Sequence, residues 1–175
     1  MKKLNKTEKI LIISYYWPPA GGSGVQRWMY FSKYLSQFNF KPIILTVNPS
    51  YASYPSIDKS LENQVSNIEL HKTFSLEALK FYSLFKSSGR IPQSVIPKKT
   101  FFDKILAFIR LNLFIPDARI GWNSFAIRKA LKIIRDQNIK YIITTGPPHS
   151  THLIGLKVKK TIGVKWLADF RDPWQ

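Results

Sequence analysis

The sequence predicts an α/β domain in which a parallel sheet is covered by helices on both faces. Two observations lead to this prediction: short β-branched runs alternate with stretches of helical periodicity, and two of the runs end in glycine- and proline-rich turns that lead into a helix. The chain has 175 residues, 45% of them hydrophobic, which is the size of one domain. Residues 1–175 are therefore interpreted as a single domain.

The first unit is a strand, a glycine turn, a helix and a second strand. An apolar strand is predicted over Lys9–Tyr16, followed by the turn Pro18–Gly24. Apolar residues at near-helical spacing then predict an amphipathic helix over Val25–Phe38, with Ser23 as its N-cap, before a strand over Pro42–Val47. This order is a βαβ unit.

The middle of the chain has a weaker pattern. A strand is predicted around Ile68–Lys72 and a helix near Leu76–Phe85, followed by a loop through Pro97. The segment Thr100–Ile115 then has a wide apolar face with few polar residues. Such a face suits a helix buried between other elements or one lying in a membrane interface, and core packing is the preferred interpretation.

Regular alternation returns in the last third of the chain. Four elements are predicted there in order, a helix at Trp122–Gln137, a strand at Tyr141–Thr145, a helix at Thr151–Thr161 and a strand at Lys165–Asp169. Ser150 is available as the N-cap of the second helix. Because ligands of open α/β sheets bind outside the carboxyl ends of the strands, the turns after the strands should line one crevice.

Charge is the strongest compositional signal, since 27 Lys and Arg face only 10 Asp and Glu and give a formal net charge of +17. A positive surface favours an anionic partner, which charge alone leaves open as nucleic acid, phospholipid headgroups, or a phosphorylated or nucleotide-linked substrate. Nucleic acid is disfavoured because the aromatic residues fall mostly in predicted core elements. The lack of cysteine excludes disulfides and thiolate metal sites and fits a cytoplasmic protein.

The glycine-rich turn Pro18–Gly24 is the first candidate site. Gly21, Gly22 and Gly24 would let backbone N–H groups approach a phosphate at the positive end of the following helix dipole. Arg27 stands where the dinucleotide-binding fingerprint requires glycine, and no Walker lysine follows, so nicotinamide cofactors and ATP are disfavoured. A purely structural turn is the alternative interpretation.

Two further candidate sites follow later strands. His149 lies in a glycine- and proline-rich turn that repeats the geometry of the first, whereas His152, already inside the next helix, is interpreted as structural. Asp169, Arg171 and Asp172 come at the end of the last strand, where carboxylates can orient hydroxyl groups or accept a proton and an arginine can bind phosphate. The alternative is that Arg171 pairs with an acid and only fixes the loop.

Three segments resemble the N-terminal domain of bacterial glycosyltransferases of family 4. They are residues 10–28 (ILIISYYWPPAGGSGVQRW), 145–155 (TGPPHSTHLIG) and 166–174 (WLADFRDPW), which occur in the family's order and near its spacing. The resemblance implies a Rossmann-like domain that forms the N-terminal half of a GT-B fold. It also implies that the donor-binding C-terminal domain is absent from this chain, which would be inactive alone.

By this resemblance the complete protein would be a retaining glycosyltransferase that uses no metal and no cofactor. It would transfer a sugar from a nucleotide-sugar donor to a lipid-linked or saccharide acceptor in surface polysaccharide or glycolipid synthesis. It would act in the cytoplasm or peripherally at the inner face of the cytoplasmic membrane. The alternative is a non-catalytic basic module that docks on an anionic membrane or on a partner chain.

The resemblance also implies roles for individual residues. The glycine loop would face the donor diphosphate, and the residues after the last strand would border the acceptor or the reacting carbon. The implied substrate-binding residues are Gly21, Gly22, Ser23, Gly24, Arg27, His149 and Arg171. The implied catalytic residues are Asp169 and Asp172.

Overall fold

The structure, a computed structural model, describes residues 7–76 and 115–171. Its strands are β1 (Glu8–Ser14), β2 (Phe40–Val47), β3 (Glu69–Thr73), β4 (Tyr141–Thr145) and β5 (Lys165–Asp169). Its helices are α1 (Ser23–Leu35), α2 (Ser60–Asn63), α3 (Asn123–Gln137) and α4 (Ser150–Ile162). Short 3₁₀ turns lie at Ser36–Phe38, Pro49–Tyr51 and Ile120–Trp122.

The five described strands form one parallel sheet with the spatial order β3-β2-β1-β4-β5. In the central strand β1, Ile12 is aligned with Ile44 of β2 and with Ile143 of β4. The chain moves from β1 to β2 and β3 on one side and then continues at β4 and β5 on the other. The strand order therefore reverses between β1 and β4, and in doubly wound sheets a crevice opens at this point.

Side-chain alternation along β1 divides the core into two layers. Leu11 and Ile13 belong to a buried cluster that includes residues of α3 and α4, whereas Ile10 and Ile12 pack with residues of α1 and α2. Both faces of the sheet are thus covered, which explains why β1 is a continuous apolar run rather than an alternating one. The predicted fold class, a Rossmann-like parallel sheet with helices on both faces, is confirmed.

The two predicted serine caps are wrong. Gly22, with φ of 106°, is the N-cap of α1, and Ser23 is the first residue of the helix. His149 is the N-cap residue of α4 but makes no side-chain capping hydrogen bond. The capping group is the carboxylate of Asp117, which binds the adjacent Ser150. The backbone N–H of Ser150 donates to Oδ2 of Asp117 at 2.7 Å, and its hydroxyl donates to Oδ1 at 2.8 Å. A carboxylate distant in sequence therefore replaces the local cap.

The remaining predicted elements agree with the structure to within a few residues or cannot be compared with it. The predicted helix over Val25–Phe38 is an α-helix to Leu35 that continues as a 3₁₀ turn to Phe38. The predicted helix at 76–85 and the apolar segment at 100–115 lie outside the described residues, except for Leu76 and Ile115, which are in neither helix nor strand.

Close packing holds α4 against the edge of the sheet. Gly155 faces the side chain of Trp166, and a Cβ atom at this position would overlap the indole and lie 2.8 Å from Cγ2 of Thr144. The indole Nε1 of Trp166 donates to Oγ1 of Thr144 at 2.8 Å, which fixes the ring in this position. The contact between helix and sheet depends on a residue without a side chain.

We predict that Gly155→Ala lowers the free energy of unfolding by about 1–3 kcal/mol because the added methyl group overfills the contact. Alanine has a higher helix propensity than glycine, so the loss would occur despite a local gain. Urea denaturation followed by circular dichroism measures the change. Lys160→Ala, on the exposed side of α4, should change stability by less than about 0.5 kcal/mol. Equal stability of Gly155→Ala and the parent chain would contradict the packing argument.

Candidate functional site

Three strands end level at the carboxyl edge of the sheet. Thr145, the last residue of β4, is aligned with Ser14 of β1 on one side and with Asp169 of β5 on the other. The backbone N–H of Gly146 donates to the carbonyl oxygen of Asp169 at 3.1 Å, so the loops after β4 and β5 leave the sheet together. The glycine turn before α1 lies at the same edge.

Asp169 connects these elements through its carboxylate. Nη2 of Arg27 donates to Oδ1 at 3.0 Å, and Nε1 of Trp28 donates to Oδ2 at 2.7 Å. The hydroxyl of Thr145 also donates to Oδ2, at 3.1 Å. The side chain of Asp169 is only 11% exposed, compared with 42% for Arg27, so most of the carboxylate is buried among its donors. The carboxylate fixes the first turns of α1 to β4 and β5.

Arg171 lies across the first turn of α1. Its Nε donates to the carbonyl oxygen of Gly146 at 2.8 Å. Its two terminal nitrogens lie 2.6 and 2.7 Å from the place where a Cβ atom of Gly24 would be, so the guanidinium occupies space that only glycine leaves open. Arg171 therefore fixes the loop through a carbonyl oxygen, while the nearby acid, Asp169, is paired with Arg27.

The glycine turn is held by the segment that follows β2. The backbone N–H of Gly21 donates to the carbonyl oxygen of Ser56 at 3.0 Å, and that of Asp58 donates to the carbonyl oxygen of Pro19 at 2.7 Å. Gly22 is exposed and has φ of 106°, a conformation that favours glycine. The turn is therefore fixed on one side and open to solvent on the other.

The backbone N–H groups of Gly22, Ser23 and Gly24 form the open end of α1. Within residues 7–76 and 115–171, no acceptor receives a hydrogen bond from any of the three. A helix N-terminus carries a partial positive charge, and its first N–H groups have no partner within the helix. Together with the guanidinium of Arg171, these groups form a positively charged end that suits an anion.

A histidine pair lies beside the loop after β4. Nδ1 of the buried His152 is 2.9 Å from Oγ1 of Thr144, which accepts a hydrogen bond from Trp166. The ring of Phe170 lies 4.0 Å from that of His152 and 6.2 Å from that of His149, between ring centres. His149 is the N-cap residue of α4, at the same edge of the sheet as Asp169.

The pKa of His152 is lowered to about 4, chiefly because burial disfavours the charged ring. A positive charge on the neighbouring His149 would lower it further, whereas Asp169 acts in the opposite direction. His152 is therefore neutral at pH 7. The pairing of its Nδ1 with Thr144 suits a ring that carries its proton on Nε2, since the hydroxyl accepts from Trp166 and can donate to the histidine.

A cavity of about 300 Å³ adjoins the loop after β4. Its lining consists of Tyr16, Asp117, Ala118, Arg119, Pro147, Pro148 and His149. Asp117 and Arg119 were not predicted from the sequence as site residues. Asp117 caps α4, and Nη2 of Arg119 donates to the carbonyl oxygen of Ser53 at 2.8 Å. Their position just before a predicted helix was a signal of possible function. No local sequence pattern, however, could identify their partners Ser150 and Ser53, which are distant in sequence.

The structure brings together the candidate residues that it describes. Gly21, Gly22, Ser23, Gly24, Arg27, His149, Asp169 and Arg171 all lie at the carboxyl edge of the sheet. Asp172 lies outside the described residues. Their roles in binding and catalysis stay predictions.

In the described ranges no three His, Asp or Glu side chains are grouped so that they could hold a metal ion. None of the described helices has the length and apolar character needed to cross a membrane.

The chain matches no protein-family model and no curated protein. Among solved structures it is similar to MurG of Acinetobacter baumannii, with 13% identity and a TM-score of 0.48, over 93% of this chain and 35% of the MurG chain. It is also similar to a UGT transferase from Siraitia grosvenorii in complex with UDP, with 14% identity and a TM-score of 0.38, over 92% of this chain and 27% of that one. The chain thus spans about a third or less of these proteins, and at such identities the likeness concerns the fold alone.

We predict that Asp169→Ala lowers the free energy of unfolding by about 2 kcal/mol, because it leaves the buried indole N–H of Trp28 without an acceptor. Asp136→Ala is the matched control. Its carboxylate is 58% exposed and pairs with Lys132 at 3.7 Å, so its loss should cost less than about 0.5 kcal/mol. Urea denaturation of both variants measures the difference. Similar losses in the two variants would show that Asp169 is no more than a surface charge.

We also predict that His152 makes stability depend on pH. The ordinary pKa of 6.5 in the unfolded chain exceeds the folded value of about 4, so the unfolded state binds more protons between these values. Stability contributed by neutral His152 is complete above pH 6.5 and is lost as the pH falls towards 4. His152→Asn, which retains an acceptor for Thr144, should remove this part of the slope in urea denaturation measured from pH 7 to 4. An unchanged slope would contradict the prediction.

Proposed function

We propose that the N-terminus of α1 binds the diphosphate of a nucleotide sugar and that the chain is the acceptor-side, N-terminal half of a GT-B glycosyltransferase. The observation that carries this proposal is the position of Arg171, whose guanidinium lies on Gly24 at the first turn of α1. The side chain of Arg171 is thus held against Gly24, one of the three residues whose backbone N–H groups open α1.

Electrostatics favour an anion at this place. The helix N-terminus and the guanidinium are both positive, so their proximity is unfavourable until a negative group lies between them. Asp169, two residues before Arg171, already accepts hydrogen bonds from Arg27 and from two other residues. A phosphate fits because it accepts hydrogen bonds from backbone N–H groups and from a planar guanidinium at once.

The cavity next to the loop supports an acceptor side. Its polar lining residues Arg119 and His149 could engage the hydroxyl groups of a sugar, while Tyr16 and two prolines supply apolar surface. The cavity and the anion-binding end of α1 are joined through Gly146, which contacts both Arg171 and His149. A donor phosphate and an acceptor could therefore lie side by side at one edge of the sheet.

The finer assignment rests on the three segments that resemble family 4. They coincide with β1 and the turn before α1, with the loop into α4, and with β5 and the residues after it. On this basis we propose retaining transfer from a nucleotide sugar to a lipid-linked or saccharide acceptor, with the main donor contacts on a further domain. The resemblance implies Asp169 and Asp172 as catalytic residues, but the hydrogen bonds of Asp169 support a positioning role for it instead. Because Asp169 accepts three hydrogen bonds, its geometry suits the positioning of Arg27 more than proton transfer.

The test is a titration of the 175-residue chain with uridine and guanosine diphosphates, followed by amide chemical shifts in two-dimensional NMR. We expect the amides of Gly22, Ser23 and Gly24 to shift and Arg171→Gln to weaken the binding about tenfold, because a hydrogen-bonded charge is lost. Lys157→Gln removes the same charge from the exposed side of α4 and should change the binding less than about twofold.

Other outcomes would contradict the proposal. Equal weakening by both variants would mean that the net charge attracts diphosphates without a site. Unchanged amide shifts at the start of α1 would favour the alternative, a non-catalytic basic module. Sugar transfer or hydrolysis by the 175-residue chain alone, measured with the common nucleotide sugars, would show that the donor site had been assigned to the wrong part of the protein.

A further inference from the structure

The outward side of α1 carries exposed aromatic residues. Tyr30, Phe31, Tyr34 and Phe38 are 42%, 47%, 52% and 68% exposed, respectively. Tyr34 follows Tyr30 by four residues and Phe31 by three, and Phe38 follows Tyr34 by four, which places them along one side of the helix and of the 3₁₀ turn that continues it. We call these four residues the aromatic stripe. Exposed aromatic side chains grouped in this way mark an interaction surface more often than a plain solvent-facing one.

The core does not require the stripe. The opposite side of α1 is buried and includes Val25, Trp28 and Met29, which pack in the layer between α1 and the sheet. A surface helix needs only one apolar face to fold against its sheet. The second apolar face of α1 thus lies outside the buried core, and the contact of the Phe31 ring with that of Trp28, 5.3 Å between ring centres, joins the two faces.

Positive charge accompanies the stripe. From Ser23 to Phe38 the sequence contains no acid and two bases, Arg27 and Lys33. The guanidinium carbon of Arg27 lies 5.5 Å from the centre of the Phe31 ring, and Nζ of Lys33 lies 5.5 Å from the centre of the Tyr30 ring. Each base thus lies beside a stripe residue, so the surface combines aromatic rings with cations.

We propose that the aromatic stripe docks the protein on an anionic lipid bilayer, with α1 lying in the headgroup region. Aromatic rings insert at this depth, and the tyrosine hydroxyls can stay in contact with water while the rings are in an apolar surrounding. Lys33 would face the lipid phosphates, and the surplus positive charge of the chain would add to the attraction. This docking surface is independent of the proposed diphosphate site and does not rest on it.

Charge complementarity selects the bilayer over a second copy of the chain. The net charge of +17 attracts an anionic surface and opposes the approach of an equally charged molecule.

The orientation of the docked domain also determines where the candidate site lies relative to the bilayer. Because Arg27 contacts both Phe31 of the stripe and Asp169 at the end of β5, docking would bring the carboxyl edge of the sheet close to the headgroups.

The experiment is cosedimentation of the 175-residue chain with vesicles of phosphatidylcholine, with and without phosphatidylglycerol. Tyr34→Gln combined with Phe38→Gln removes two stripe residues distant from Arg27 and should lower the partition coefficient on anionic vesicles about tenfold. The control is Leu153→Gln combined with Leu167→Gln, which removes two other exposed side chains, 41% and 56% exposed, and should change it less than about twofold. Circular dichroism melts must show that both double variants are folded, and single variants replace either one that is not.

The remaining outcomes overturn the proposal. Equal loss in both double variants would indicate non-specific apolar adsorption, and no loss in either would leave charge alone as the cause of binding. Failure of the parent chain to bind anionic vesicles would exclude a bilayer as the partner. Self-association of the parent chain in sedimentation velocity runs without vesicles, abolished by the stripe variant, would assign the face to contact between copies.

Discussion

The carboxylate of Asp169 is the interaction on which the candidate site depends. It accepts hydrogen bonds from Arg27 and Trp28 of α1 and from Thr145 of β4, and it stands at the end of β5. Two residues beyond it, Arg171 meets the same helix at Gly24. A single partly buried acid therefore fixes the N-terminal part of α1 to the sheet, and Arg171 can then lie against the first turn of that helix.

Asp169 is one of only 10 acids in a chain with a formal net charge of +17. A partly buried carboxylate is stable when several donors surround it, and Asp169 has a guanidinium, an indole N–H and a hydroxyl. With Arg27 paired in this way, Arg171 and the end of α1 are left as positive groups beside the glycine turn.

Much of the fold could be predicted from sequence because it depends on local patterns. The apolar run of β1, the glycine turn and the helical spacing of α1 each leave a signal within a few residues, and the carboxyl ends of parallel strands must share an edge. The cap on α4 left no such signal, because Asp117 is 33 residues from Ser150. The network of Thr144, Trp166 and His152 was missed for the same reason: its members lie on three elements, and burial, not spacing, determines the state of the histidine.

The turn from β1 into α1 and the turn from β4 into α4 have the same strand–turn–helix arrangement. They differ in whether an anionic group of the protein lies at the N-terminus of the helix. In α4 the first N–H group and the hydroxyl of Ser150 are bound by Asp117, so this helix end already has an anion supplied by the protein itself. In α1 the corresponding donors face solvent. The same structural unit therefore has two different roles in this chain. The N-terminus of α4 is capped by a carboxylate of the protein and stabilises the fold, whereas the N-terminus of α1 keeps its donors open to a ligand.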